Sequence, residues 1–243
     1  AEAARHFRAA LSAREGQEMD DDMAELLHSL GKAAIATVQN AEAWRSLRQA
    51  FDYYAHKGDI EHAAKIAYLV GTIGRLIRPS QTQLIERALT LVEEGSEDYG
   101  RLNAALGYSA GMLGDESRSR QALLRAEQVA GRLGLPRLEL DVLFFGQTVT
   151  GFHLHQEESI AYCDRAIALA QELKDPYIEA PAHFFAIIKG WMGDAVSARA
   201  HSDACRAIAE RLRDHSYIAS ATCAQSGTAL WAGDWARARE ALA

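Results

Sequence analysis

Apolar and small residues recur at helical spacing along most of the chain. In one segment Ser119, Leu123 and Ala126 follow each other at i, i+4 and i+7, after a Gly114-Asp115 pair. A glycine caps the C-terminus of one helix, and an aspartate caps the N-terminus of the next. The pattern predicts a helix, a short turn, a second helix and a closing turn near Pro136.

The same order returns about every 40 residues, and small residues mark the first helix of each unit. These residues, which we call the ladder residues, are Gly31, Gly71, Gly107, Gly146, Ala186 and Gly227, with spacings of 40, 36, 39, 40 and 41. A glycine inside a helix costs about 1 kcal/mol relative to alanine. A regularly spaced set therefore indicates that a second backbone comes close at the same point of every unit, as in a helical repeat array.

We expect an all-α fold, a right-handed solenoid of stacked antiparallel helix pairs that spans residues 1–243 as a single array. Full pairs are predicted at 20–56, 60–94, 98–133, 137–173 and 177–212, and partial units at 1–14 and 215–243. Neither end supplies the polar capping unit that a repeat array needs. We therefore expect a piece of a longer protein, or ends that pack on another chain.

The repeat resembles the tetratricopeptide repeat family. Leu106-Gly107, Gly114-Asp115, Ala126 and Pro136 match the consensus, and Gly193-Asp194 matches its turn. The period is near 40 residues, whereas the family repeats about every 34. This long form resembles the repeat region of MalT-like or LuxR-family ATPase regulators. The resemblance implies a non-enzymatic array that binds a protein or peptide, as the sensor or interaction region of a larger bacterial transcriptional or signalling regulator.

The resemblance also implies a concave ligand-binding face on the first helices. Counted from the ladder residues, the family's groove positions fall on basic, aromatic and polar residues. The candidates are Lys32, Lys65, Tyr68, Arg75, Arg101, Tyr108, Gln147, His183 and Trp191, with His28 in the same register. Such a set would suit an acidic peptide or a terminal carboxylate. The alternative is that aromatic residues such as Tyr108 and Trp191 pack on the next helix.

The charge of the protein limits the classes of partner that it is expected to bind. The net charge is −7, and lysines and arginines are scattered, which argues against direct nucleic-acid binding. No apolar run approaches the length of a membrane span. Three cysteines without a CxxC pair are typical of a reducing compartment, so we expect a cytoplasmic protein in which Cys163, Cys205 and Cys223 are buried thiols.

No motif indicates an enzyme, a cofactor or a metal site. His153-Leu154-His155 lies in a predicted turn, and its spacing fits neither a helical zinc motif nor a zinc finger. Two other functions stay open beside peptide binding. One is self-association into a homodimer, and the other is a small-molecule effector pocket around Tyr68, Arg75 and Tyr108.

Overall fold

A computed structural model describes residues 2–71 and 78–240, except for the side chains of residues 191 and 216. Within these ranges all regular structure is helical, which confirms the predicted all-α fold. The helices are α1 (Glu2–Ser12), α2 (Asp21–Ala36), α3 (Asn40–Lys57), α4 (Ile60–Gly71), α5 (Pro79–Leu89), α6 (Glu97–Met112), α7 (Glu116–Leu133), α8 (Pro136–Phe152), α9 (Gln156–Glu172), α10 (Pro176–Ala186), a 3₁₀ helix (Ile187–Met192), α11 (Ala195–Leu212), α12 (His215–Trp231) and α13 (Trp235–Glu240).

Capping residues explain where these helices begin and end. Between α6 and α7, Gly114 has φ +91°, a left-handed conformation that suits glycine, and the Asp115 carboxylate accepts a hydrogen bond from the Arg118 amide. The Asp194 carboxylate caps α11 in the same way by accepting from the Ser197 amide. Turns of this length make the two helices of a pair antiparallel neighbours, as the repeat predicts.

Gly31, Gly107 and Gly146 lie at close contacts between the two helices of a pair. An ideal Cβ on Gly31 would lie 2.5 Å from Leu47 Cγ, and one on Gly146 would lie 2.7 Å from Tyr162 Cε1. In both cases the contacting residue comes sixteen positions later, on the second helix of the same pair. The glycine therefore makes room for a large side chain at the helix crossing.

This geometry corrects part of the sequence interpretation. The nearest atoms belong to side chains, and backbone atoms lie somewhat farther away, as the Ser119 carbonyl oxygen does at 3.1 Å from an ideal Cβ on Gly107. An ideal Cβ on Gly71 would lie 2.7 Å from Ala105 Cβ, which belongs to the first helix of the next pair. At Gly227 no described atom lies within 4 Å of an ideal Cβ, and position 243, sixteen residues later, is outside the described residues.

The contacts between residues divide the chain into two compact units, residues 1–138 and 139–243. The core of the first unit includes Leu47, Phe51 and Ile66, all fully buried between α2, α3, α4 and their neighbours. The core of the second unit includes Cys163 and Ala166 of α9, both fully buried. Small residues at the crossings and large ones between them are what stacked helix pairs require.

Two details of the second unit depart from the sequence prediction. The first helix of its 176–212 pair changes from α10 into a 3₁₀ helix, where Trp231 packs so closely that a Cβ on Gly190 would lie 2.8 Å from its ring. Cys163 and Cys205 are buried as expected, but Cys223 is exposed on α12, so the prediction of a third buried thiol is wrong. No helix of the described residues is both long and apolar enough to cross a membrane.

Candidate functional site

The first unit contains a cleft of about 240 Å³ that is lined by α2, α4 and α6. These are the first helices of three successive pairs, so the cleft lies on the face that such helices share. The lining residues are His28, Lys32, Ala64, Lys65, Tyr68, Leu69, Asp98 and Arg101.

Three cations from three different helices meet at this cleft, although the chain as a whole is acidic. Lys32 is exposed and forms no ion pair with a described residue. Lys65 Nζ lies 2.5 Å from Glu61 Oε1, and Arg101 Nη2 lies 2.7 Å from Glu97 Oε1. Both pairs join residues one helical turn apart on the surface, an arrangement that contributes little stability. A ligand carboxylate can therefore replace either partner.

Neighbouring groups shift the pKa values of two basic side chains of the cleft in opposite directions. The hydrogen bond from Lys65 to Glu61 raises the pKa of Lys65. Burial, and then the charge of Lys32, lower the pKa of His28. Asp98 is the one acidic residue in the lining, against two lysines and an arginine. The lining charges therefore favour an anionic group, with Asp98 limiting where that group can sit.

The remaining surface of the cleft is apolar and aromatic. Ala64, Tyr68 and Leu69 follow one another along α4, with Tyr68 and Leu69 half-buried. Pockets for drug-sized ligands usually span roughly 300–1,000 Å³, so this cleft, at about 240 Å³, suits one or two side chains of a larger partner. A carboxylate beside an apolar group would match the cations and the α4 surface together.

Four of the nine candidate residues are among the described residues that line this cleft, whereas Tyr108, Gln147 and His183 are not. Lys32, Lys65, Tyr68 and Arg101 are the four. Tyr108 lies on α6, partly exposed, and is not among the lining residues. Arg75 lies outside the described residues, as does the side chain of Trp191, whose backbone belongs to the 3₁₀ helix.

Gln147 and His183 belong to the second unit and are buried. Gln147 has no exposed surface, and neither its amide oxygen nor its amide nitrogen has a hydrogen-bond partner among the described residues. His183 is 8% exposed, and its Nδ1 lies 2.9 Å from Nδ1 of His201. Neither side chain presents the open surface that the register predicted.

The register overlooked three residues of the cleft, Ala64, Leu69 and Asp98. Asp98 lies one helical turn before Arg101 on α6, so it could have been found by extending the same face toward the N-terminus. Ala64 and Leu69 flank Lys65 and Tyr68 in sequence. They carry no chemical signal of their own, and only the packing of α4 beside α2 and α6 shows that they line the cleft.

Comparison with known proteins supports the fold and leaves the ligand open. Neither a family model nor a curated protein sequence matches this chain. Among solved structures it is similar to a Rap protein complexed with competence and sporulation factor, with a TM-score of 0.65 and 15% sequence identity. The match covers 99% of this chain and 72% of the Rap chain. The likeness supports a tetratricopeptide-like helical repeat fold, as the sequence predicted.

Proposed function

We propose that this chain is a non-enzymatic scaffold that binds an acidic segment of a protein or peptide, and that the cleft between α2, α4 and α6 holds the segment. The observation that carries the proposal is the convergence of Lys32, Lys65 and Arg101 on one cleft in a chain of net charge −7. The Rap structure, solved with a bound factor, supports a binding role for the fold.

The chemistry of recognition follows from the exposed ion pairs. Lys65 and Arg101 already pair with the carboxylates of Glu61 and Glu97. An incoming Asp or Glu side chain replaces these weak partners and also meets Lys32. An arginine can bind such a carboxylate through two parallel hydrogen bonds, which fixes its orientation. An apolar neighbour of the carboxylate packs on Tyr68 and Leu69.

A matched pair of probes tests this recognition. The first is a fluorescein-labelled decapeptide of alternating Glu and Leu, and its twin has Gln in place of Glu. We expect fluorescence anisotropy to show binding of the Glu probe, weak or no binding of the Gln probe, and loss of affinity as salt rises from 50 mM to 500 mM.

Charge reversal on the chain then locates the binding. Arg101→Glu should weaken binding of the Glu probe about tenfold, because it replaces attraction by repulsion inside the cleft. Arg48→Glu is the matched control, since Arg48 is also exposed in an i, i+4 pair of the first unit, 3.7 Å from Asp52, but belongs to α3 and is not among the residues that line the cleft. Equal losses in the two variants would contradict the proposal.

The wider setting that we propose is a larger bacterial regulator, in which this region receives a partner and relays its presence to other domains. The support is the resemblance to the long repeat form of MalT-like or LuxR-family regulators. The neighbouring coding sequence tests this setting, because a nucleotide-binding domain upstream or a helix-turn-helix downstream is expected. The rival function is self-association, which sedimentation over a range of concentrations tests. A stable dimer that does not bind the Glu probe would favour it.

A further inference from the structure

Five polar side chains of the second unit form a network of contacts. Lys189 Nζ donates to Asp164 Oδ1 at 2.8 Å and lies 3.3 Å from His201 Nε2. His201 Nδ1 lies 2.9 Å from His183 Nδ1, and His183 Nε2 lies 3.9 Å from Glu179 Oε1. This network links α9, α10, the 3₁₀ helix and α11.

Lys189 determines which ring nitrogen of each histidine in this network carries the proton. A charged lysine has donors and no acceptor, so His201 Nε2 must accept from Lys189. His201 then carries its proton on Nδ1 and donates it to His183 Nδ1. His183 in turn carries its proton on Nε2, which faces Glu179. The contacts are therefore satisfied in one arrangement, with both histidines neutral and in opposite tautomers.

Adding a proton breaks this arrangement. A doubly protonated His183 would direct an N–H at the N–H of His201, and a doubly protonated His201 would direct one at the Lys189 ammonium. We propose that the His183–His201 pair is a pH-sensitive contact, which holds α10 and the 3₁₀ helix on α11 when neutral and loosens them when protonated. This inference does not depend on the ligand of the cleft.

The groups around the pair set the direction of the effect. Burial, followed by the charges of Lys189 and His183, lowers the pKa of His201 to about 4. Burial also lowers the pKa of His183, and Lys189 acts in the same direction.

The acidic neighbours act against these effects. Asp164 of α9 and Asp194, the cap of α11, partly oppose the shift of His201. Glu179 does so for His183. Helix α12, which packs on both α10 and α11, carries no Asp, Glu, Lys or Arg.

The linkage between proton binding and folding gives the direction in which stability changes with pH. The unfolded chain binds a proton on histidine near pH 6.5, whereas the folded pair resists protonation until about pH 4 at His201. The contribution of the pair to stability is therefore complete above pH 6.5 and is lost as the pH falls from 6.5 toward 4. Carboxylates also titrate near the acid end of this window, so the test must separate His201 from them.

The first experiment observes the tautomers in the unaltered chain. Long-range ¹H–¹⁵N correlation at pH 7 should show His201 neutral with its proton on Nδ1 and His183 neutral with its proton on Nε2. A charged His201 at this pH, or a proton on its Nε2, would overturn the proposal. This measurement needs no variant, so it stands even if a substituted chain fails to fold.

The second experiment compares His201→Gln with wild type by native-state hydrogen exchange of the α10 and α11 amides. The Gln amide can accept from Lys189 and donate to His183, but it does not titrate. Between pH 7 and pH 5 the local opening constant should rise roughly tenfold more in wild type than in His201→Gln. His215→Gln is the matched control, because His215 is exposed on α12 and should keep the wild-type response. Identical pH responses in wild type and His201→Gln would contradict the proposal.

Discussion

Leu123 of α7 occupies the space beside Gly107 of α6, so that an ideal Cβ on the glycine would lie 2.6 Å from Leu123 Cγ. The same Cβ would lie 3.1 Å from the carbonyl oxygen of Ser119, and the Ser119 hydroxyl donates a 2.7 Å hydrogen bond to the Gly107 carbonyl. The corresponding hydroxyl forty residues later, Ser159, donates to the carbonyl of Gln147 at 3.0 Å. The crossing is therefore held by both packing and a recurring hydrogen bond.

Replacing Gly107 with leucine should lower the free energy of unfolding by roughly 1–3 kcal/mol, because the new side chain has no room beside Leu123. Urea unfolding followed by circular dichroism measures the change. Gly131→Ala is the control within α7, where an added Cβ meets nothing within 4 Å among the described residues. That variant should be stabilised by up to about 1 kcal/mol. Unchanged stability in Gly107→Leu would show that the crossing is wrongly placed.

Asp115→Ala should destabilise the chain by about 1 kcal/mol, since it removes the carboxylate that accepts from the Arg118 amide at the start of α7. Asp115→Asn keeps a capping oxygen and should retain most of the stability. Thermal unfolding of the two variants beside wild type separates the cap from the charge. If Asp115→Asn lost as much stability as Asp115→Ala, the effect would come from the charge of Asp115 and not from capping.

The three thiols should differ sharply in reactivity. Burial raises the pKa of Cys163 to about 12 and that of Cys205 to about 11, while Cys223 is exposed. A thiolate is the reactive form, so Ellman's reagent at pH 8 should modify about one thiol per folded chain quickly and the other two only on unfolding. Cys223→Ser should abolish the fast phase. A fast phase that survives in this variant would contradict the burial of Cys163 and Cys205.

Local pattern predicted the fold because each signal acts within one helix pair. Caps such as Gly114 and Asp115 stop and start helices through their own backbone contacts, and the structure confirms both. The ladder at Gly107 marked a close contact but not its partner, because a missing side chain does not reveal what fills the space. That residues 1–243 form one array stays a prediction.

The site was predicted less completely, since it depends on which helices meet. Lys32, Lys65 and Arg101 share a cleft because three first helices lie side by side, and a register derived from one repeat carries over to the next. The contact between His183 and His201 could not be found in this way. The two histidines lie on different helices, eighteen residues apart, and the sequence contains no motif that pairs them.

Photo-crosslinking would show whether acidic segments bind in the cleft of the first unit, as we propose. The Glu probe, with photo-leucine at its central Leu, is irradiated on the full chain, and the modified residues are mapped by mass spectrometry. We expect crosslinks concentrated on Tyr68, Leu69 and adjoining residues of α2, α4 and α6, and we expect their loss in Arg101→Glu but not in Arg48→Glu. Crosslinks concentrated on α11 and α12, or equally frequent in Arg101→Glu and wild type, would contradict the proposal.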